Sequence, residues 1–126
     1  MERHKMIVAG MGFRQAADLT ALREAFLAAG GMRATVIATA EDKAQAPVLQ
    51  AFAAERRLPI LAITAAELAA QTTPTQSPRI TARYGTGSLA EASALAAAGP
   101  GARLLSPRVQ STDGTATAAL AIRTTP

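Results

Sequence analysis

The residues most able to do chemistry in this sequence gather in two short glycine-containing stretches. The first is Gly10-Met11-Gly12-Phe13-Arg14, directly behind the apolar run Met6–Ala9. The second is Gly85-Thr86-Gly87-Ser88, with a helical pattern behind it. A glycine turn that opens a helix presents backbone N–H groups to an anion, and the positive end of the helix dipole adds to the attraction. Arg14 stands beside the first stretch, and Lys43 occupies a polar turn after the second apolar run. Arg79, Arg83 and Arg108 are further positive charges within reach of the same region. Every one of these residues also has an ordinary reading. Gly10 and Gly12 equally suit a tight turn between a strand and a closely packed helix. Gly85–Ser88 equally suits a turn and helix cap in which Ser88 and Glu91 satisfy each other's backbone. The cations equally suit a solvated surface.

Other chemistries are poorly supplied. The first glycine pair lacks the third glycine of a dinucleotide fingerprint, since Gln15 stands there, and Glu41 and Asp42 come too late to meet a ribose. No lysine follows Gly87, so the second stretch is not an ATP-binding P-loop. The chain has no cysteine and one histidine, His4, at what reads as a frayed end. That argues against a histidine- or thiolate-based metal site and a Ser-His-Asp triad. No carboxylate pair stands out, and Asp42 and Lys43 are the only acid–base candidates. We expect no metal and no cofactor.

Charge and composition narrow the partners. Thirteen Lys and Arg against nine Asp and Glu give a net charge of +4. The basic residues are scattered, with no run longer than Arg56-Arg57 and no aromatic interleaving, so nucleic acid is not expected. A polycarboxylate ligand or a plain basic surface fits better. The lack of cysteine and of a leader pattern suits a cytoplasmic protein. No segment approaches the ~20 apolar residues of a membrane helix.

These residues need elements to hold them. A single domain, 1–126, is expected. Met6–Ala9 reads as a buried strand, Gln15–Ala29 as a helix ended by Gly30-Gly31, and Arg33–Thr39 as a second strand. Ala40–Ala46 reads as a polar turn. The next helix starts at Pro47 and buries Val48, Ala51 and Phe52. Leu58–Ile63 is a third strand, and Thr64-Ala-Ala-Glu67 is a capping box opening a short helix. Gln71–Pro78 reads as an exposed, mobile loop. A helix then runs from Ser88 to about Ala98 and stops at Gly99-Pro-Gly101. Leu104-Leu105 mark a fourth strand, Gln110–Gly114 a hairpin turn, and Thr115–Ile122 a fifth strand. The order implies a three-layer α/β/α sandwich on a mixed, mostly parallel sheet of about five strands, with an antiparallel C-terminal pair. Ligands on such sheets sit beyond the carboxyl ends of the strands, where both glycine stretches would lie.

With those residues in view, the chain resembles the CobE family, which is also the family of the C-terminal domain of CbiG. The resemblance spans about Met6 to Arg123. It rests on Gly10-x-Gly12-Phe13-Arg14, on Ala38-Thr39 followed by Lys43, on Arg57-x-Pro59, and on Thr64-x-x-Glu67-Leu68. Gly85-Thr-Gly-Ser-Leu-Ala-Glu91 is its most specific part, and Leu104-Leu-Ser-Pro-Arg108 and Ala116–Arg123 complete it. Family members usually carry Glu at the position of Ala46 and often Lys at that of Arg108. The resemblance implies an α/β/α sandwich working in corrin-ring construction, on tetrapyrroles that carry many carboxylates. In CbiG-type proteins the domain is fused to an N-terminal domain, and the fusion opens a ring lactone and releases a two-carbon unit, whereas this chain looks like the stand-alone type. The expected role is therefore binding of a precorrin or corrin intermediate by Gly10, Gly12, Phe13, Arg14, Lys43, Gly85, Thr86, Gly87, Ser88 and Arg108. Two alternatives stand beside it. One is a lactone hydrolase or ring-contraction enzyme, alone or with a partner. The other is a non-catalytic module that docks to a pathway enzyme through the Gln71–Pro78 loop and the basic surface.

Overall fold

A computed structural model describes residues 4–125 of the chain, with side chains from Lys5 to Thr124. The charged start at Glu2-Arg3 and the last residue, Pro126, lie outside the described residues. The chain runs β1 (His4–Phe13), α1 (Leu19–Ala28), a short 3-10 turn (Gly31–Arg33), β2 (Val36–Ala40), α2 (Glu41–Ala44), α3 (Pro47–Arg56) and β3 (Ile60–Ile63). It continues through α4 (Ala65–Ala69), α5 (Pro78–Tyr84), α6 (Leu89–Ala98), β4 (Arg103–Leu104), β5 (Val109–Gln110) and β6 (Ala116–Thr125).

The sheet has six strands, one more than expected, because the two-residue strand β5 pairs with β6 beside the main order β3-β2-β1-β6-β4. The parallel half is β1, β2 and β3, and the C-terminal strands are antiparallel to their neighbours. β1 and β6 pair along their whole length, from His4↔Thr125 to Phe13↔Ala116. The last strand is therefore at the centre of the sheet.

Alternation along β1 divides the core in two. Ala9, Met11 and Phe13 face α1 and α3, with Phe26 and Phe52 meeting edge to face at 5.0 Å between ring centres. Val8 faces the other way, with α6 and α4. This is the α/β/α sandwich. On the first face the helix after β1 is shorter than the expected Gln15–Ala29. It starts at Leu19 because the Asp18 carboxylate caps it, accepting from the Ala21 amide at 2.9 Å. On α3 the buried residues are Leu49, Phe52 and Ala53, and Ala51 is exposed, so the buried stripe is rotated from the expected one. The capping box at Thr64 and Glu67 is formed as expected.

On the second face, α6 is buried almost all round and lies across β1, β2 and β6. Its alanines make that depth possible, since a small side chain lets a helix backbone sink toward the sheet. Among the described residues, no helix is long and apolar enough to cross a membrane.

Candidate functional site

The first glycine stretch is strand, not turn. Gly10 and Gly12 lie inside β1, opposite Ala119 and Thr117 of β6, and Gly10 also pairs with Ala38 of β2. Both face α6. A Cβ on Gly10 would lie 2.7 Å from the Ala94 nitrogen and 2.9 Å from the Ala94 Cβ, and closer still to the Ala90 carbonyl oxygen. Glycine is needed here for contact between the backbones of a strand and a helix. The chain leaves the sheet only after Phe13, where the Arg14 amide donates to the Thr115 carbonyl at 2.8 Å.

The second stretch is also occupied internally. Gly85 ends α5 in the left-handed conformation (φ +72°). Gly87 lies under the 71–77 loop, where a Cβ would collide with the Thr75 carbonyl oxygen and come within 2.7 Å of the Gln76 amide oxygen. Ser88 caps α6, its hydroxyl accepting from the Glu91 amide at 3.2 Å. Thr86 is buried and its hydroxyl has no partner. Only half of the expected Ser88–Glu91 box forms. The Glu91 carboxylate is fully buried and turns elsewhere: it accepts from the Thr75 amide (2.9 Å), the Thr75 hydroxyl (2.7 Å) and the Arg108 amide (2.7 Å). These bonds correct the mobile-loop expectation, because Gln71–Pro78 is tied to the body of the protein. The Ser77 amide donates to the Gly87 carbonyl at 2.8 Å, and the Gln76 side chain to the Thr73 carbonyl at 2.8 Å.

A cleft of about 850 Å³ opens beyond the carboxyl ends of β1 and β2. Gly12, Phe13 and Arg14 come to it from the end of β1, and Asp42, Lys43 and Ala46 from the segment after β2. Arg79, Ile80, Arg83 and Tyr84 come from α5, Leu89 from the start of α6, and Arg108, Gln110, Thr115 and Thr117 from the C-terminal hairpin region. Of the residues singled out in the sequence, the cleft gathers Gly12, Phe13, Arg14, Asp42, Lys43, Arg79, Arg83 and Arg108. It does not gather Gly10, Gly85, Thr86, Gly87 or Ser88, whose backbones serve packing and capping. Tyr84 and Ile80 are not among the candidate residues of the sequence, because its apolar pattern does not mark α5. The available signal was Ser77-Pro78, a proline at the first helical position.

The electrostatics of the lining are lopsided. Arg14, Lys43, Arg79, Arg83 and Arg108 bring five positive charges, and Asp42 is the sole carboxylate. That carboxylate is already engaged, by Arg83 at 2.7 Å and by the Tyr84 hydroxyl at 3.0 Å. Burial, with help from Asp42, pushes the Tyr84 phenol up to about 12. The Lys43 ammonium donates to the Phe13 carbonyl at 2.6 Å and sits 5.0 Å from the centre of the Phe13 ring. Partial burial, and next the neighbouring Arg83 charge, holds its pKa below the usual lysine range. Apolar area from Phe13, Ile80, Pro78 and Leu89 lies between the charges. Among the described residues, no group of three or more His, Cys, Asp or Glu side chains comes together.

The fold and cleft define a mixed-sheet α/β protein with a basic, partly apolar cleft at the carboxyl ends of its parallel strands. Comparison with known proteins gives the family. The model for the C-terminus of cobalamin synthesis protein G matches residues 7–121, and the chain belongs to that family. Among solved structures, CobE, a protein from the cobalamin (vitamin B12) biosynthetic pathway, superposes with a TM-score of 0.84 at 26% identity, over 94% of this chain and 91% of its own. The cobalamin biosynthesis protein chiG of Agrobacterium tumefaciens is 34% identical, with a TM-score of 0.67, over 92% of this chain and 97% of its own. No curated protein sequence matches the chain significantly. The protein is one of cobalamin biosynthesis.

Proposed function

We propose that the cleft binds a polycarboxylate tetrapyrrole intermediate of corrin-ring construction. The observation that carries the reading is the lining: five cations against one already-paired carboxylate, with apolar side chains between them. A tetrapyrrole presents the complement, an apolar macrocycle edged by acetate and propionate carboxylates. Guanidinium groups suit such a ligand because each can hold a carboxylate through two parallel hydrogen bonds. In this reading the side chains of Arg14, Arg79, Arg108 and Lys43 supply the attraction. The glycines act indirectly, by letting α6 and the 71–77 loop pack closely enough to form the cleft walls.

Titration with hydrogenobyrinic acid, followed by its visible absorption, tests this. Saturable binding that weakens with added salt is expected. Arg14→Glu and Lys43→Glu should each weaken it more than tenfold, about 1.4 kcal/mol, with the fold intact. Unchanged affinity in both variants would refute the site. A second reading, lactone hydrolysis, draws on Lys43, whose lowered pKa suits proton transfer. Turnover of a lactone-bearing precorrin that disappears in Lys43→Ala would favour it. Asp42 is a poor general base beside it, because Arg83 and Tyr84 already hold its oxygens.

A further inference from the structure

The Glu91 carboxylate takes no part in capping α6 and has no exposure to solvent, and among the described residues it is the one buried carboxylate. A buried carboxylate is costly unless its acceptor sites are filled. Here they are filled by donors from two separate segments. Thr75 belongs to the loop that leads through Ser77 into α5, the helix that carries Arg79 and Arg83. Arg108 belongs to the connection between β4 and β5, and its own side chain lines the cleft. One carboxylate thus joins two walls of the cleft from behind, at the first turn of a helix packed across the sheet.

We infer that Glu91 is the positioning residue of the cation array, holding the Arg108 segment and the approach to α5 at a fixed separation. The inference rests on the cleft being the binding site proposed above. Gly87 belongs to the same device, since only a residue without a side chain leaves room for the Thr75 carbonyl above it.

The test has a ligand-free arm and a binding arm. Glu91→Gln keeps the shape but replaces one carboxylate oxygen by an NH2 group, which would face the Thr75 amide in place of Oε1, or the Arg108 amide and the Thr75 hydroxyl in place of Oε2. Amide hydrogen exchange should speed up by more than tenfold at Thr75 or at Arg108, whichever amide faces the NH2 group, while the β1–β6 ladder stays protected. Unchanged exchange at both amides overturns the inference, whatever the ligand does. If Glu91→Gln does not fold, Thr75→Val removes one donor alone and should raise exchange over residues 75–77, and no rise there overturns it equally. The binding arm uses hydrogenobyrinic acid with wild type, Glu91→Gln, Arg108→Gln and the double variant. Glu91→Gln should weaken binding about tenfold in the wild-type background and less than threefold once Arg108 is gone, because part of its effect runs through Arg108. Equal losses in both backgrounds would mean a general structural role and overturn the positioning claim. Failure of the wild type to bind the probe refutes the binding reading and leaves the exchange arm to decide the role of Glu91.

Discussion

Replacing Gly10 by alanine should destabilise the protein far more than the same change at Gly12, two residues along the same strand face. The added Cβ at position 10 would stand 2.7 Å from the Ala94 nitrogen and 2.9 Å from the Ala94 Cβ, with the Ala90 carbonyl oxygen nearer still. Comfortable carbon contacts need about 3.5–4.0 Å. The obstructing atoms are mostly helix backbone, so α6 must move as a body, by roughly 1 Å, along β1, β2 and β6 together. Overpacking of this kind costs ~1–3 kcal/mol and sometimes more, and a rigid obstacle places it at the upper end. The smaller entropy of the unfolded alanine chain returns about 0.4–1 kcal/mol. A net loss of about 2 kcal/mol remains, against a total stability of ~5–15 kcal/mol. At position 12 the near atom is the Thr117 hydroxyl at 2.8 Å, the end of a side chain that can rotate, and the next neighbour is 3.5 Å away. That change should cost less than about 1 kcal/mol. Urea unfolding followed by circular dichroism would measure both, with the midpoint of Gly10→Ala falling by about 1 M at an ordinary slope. A Gly10→Ala variant as stable as wild type, or no worse than Gly12→Ala, would refute the account of these glycines as packing residues.

Two further predictions concern titration in the cleft. The chain has one tyrosine and no tryptophan, so its ultraviolet absorbance reports Tyr84 alone. Its phenol should titrate near 12, and Asp42→Asn should bring the midpoint down toward the free value of about 10; an unmoved midpoint would mean that the Asp42 contact does not form in solution. Because the folded pKa is raised, the stability linked to Tyr84 is present below the free value and lost as pH climbs through the folded one. Lys43 has the opposite sign. Its folded pKa is lowered, so the unfolded chain binds more protons in the interval up to the usual lysine range, and stability rises with pH across that interval. The stability advantage of wild type over Lys43→Met should therefore grow from neutral pH into that range. A constant difference would show Lys43 to be an ordinary solvated lysine.

Much of the fold was legible because local physics dictates it. Continuous apolar runs marked the parallel strands, Pro47 and Thr64–Glu67 marked helix starts, and Asp113-Gly114 marked the hairpin, where the Asp113 carboxylate accepts from the Thr115 amide and Gly114 takes φ +75°. These signals act within a few residues, so sequence alone carries them. Arg14, Lys43 and Arg108 were legible as candidates because cations just beyond strand ends converge at one edge of such a sheet. The sequence did not determine what the glycines are for. A glycine in a turn and a glycine under a helix read identically: pairing with Ala38 and Ala119 makes Gly10 strand, and the approach of α6, about eighty residues away, is what leaves no room for a side chain there. Nor did it determine the role of Glu91. Spacing from Ser88 pointed to a cap, but a buried carboxylate goes where the most donors are, and those came from Thr75 and Arg108 through tertiary contact. The cleft itself belongs to that second category: its charge is spread over four segments, the end of β1, the segment after β2, α5 and the connection before β5, which meet only because the fold brings them together.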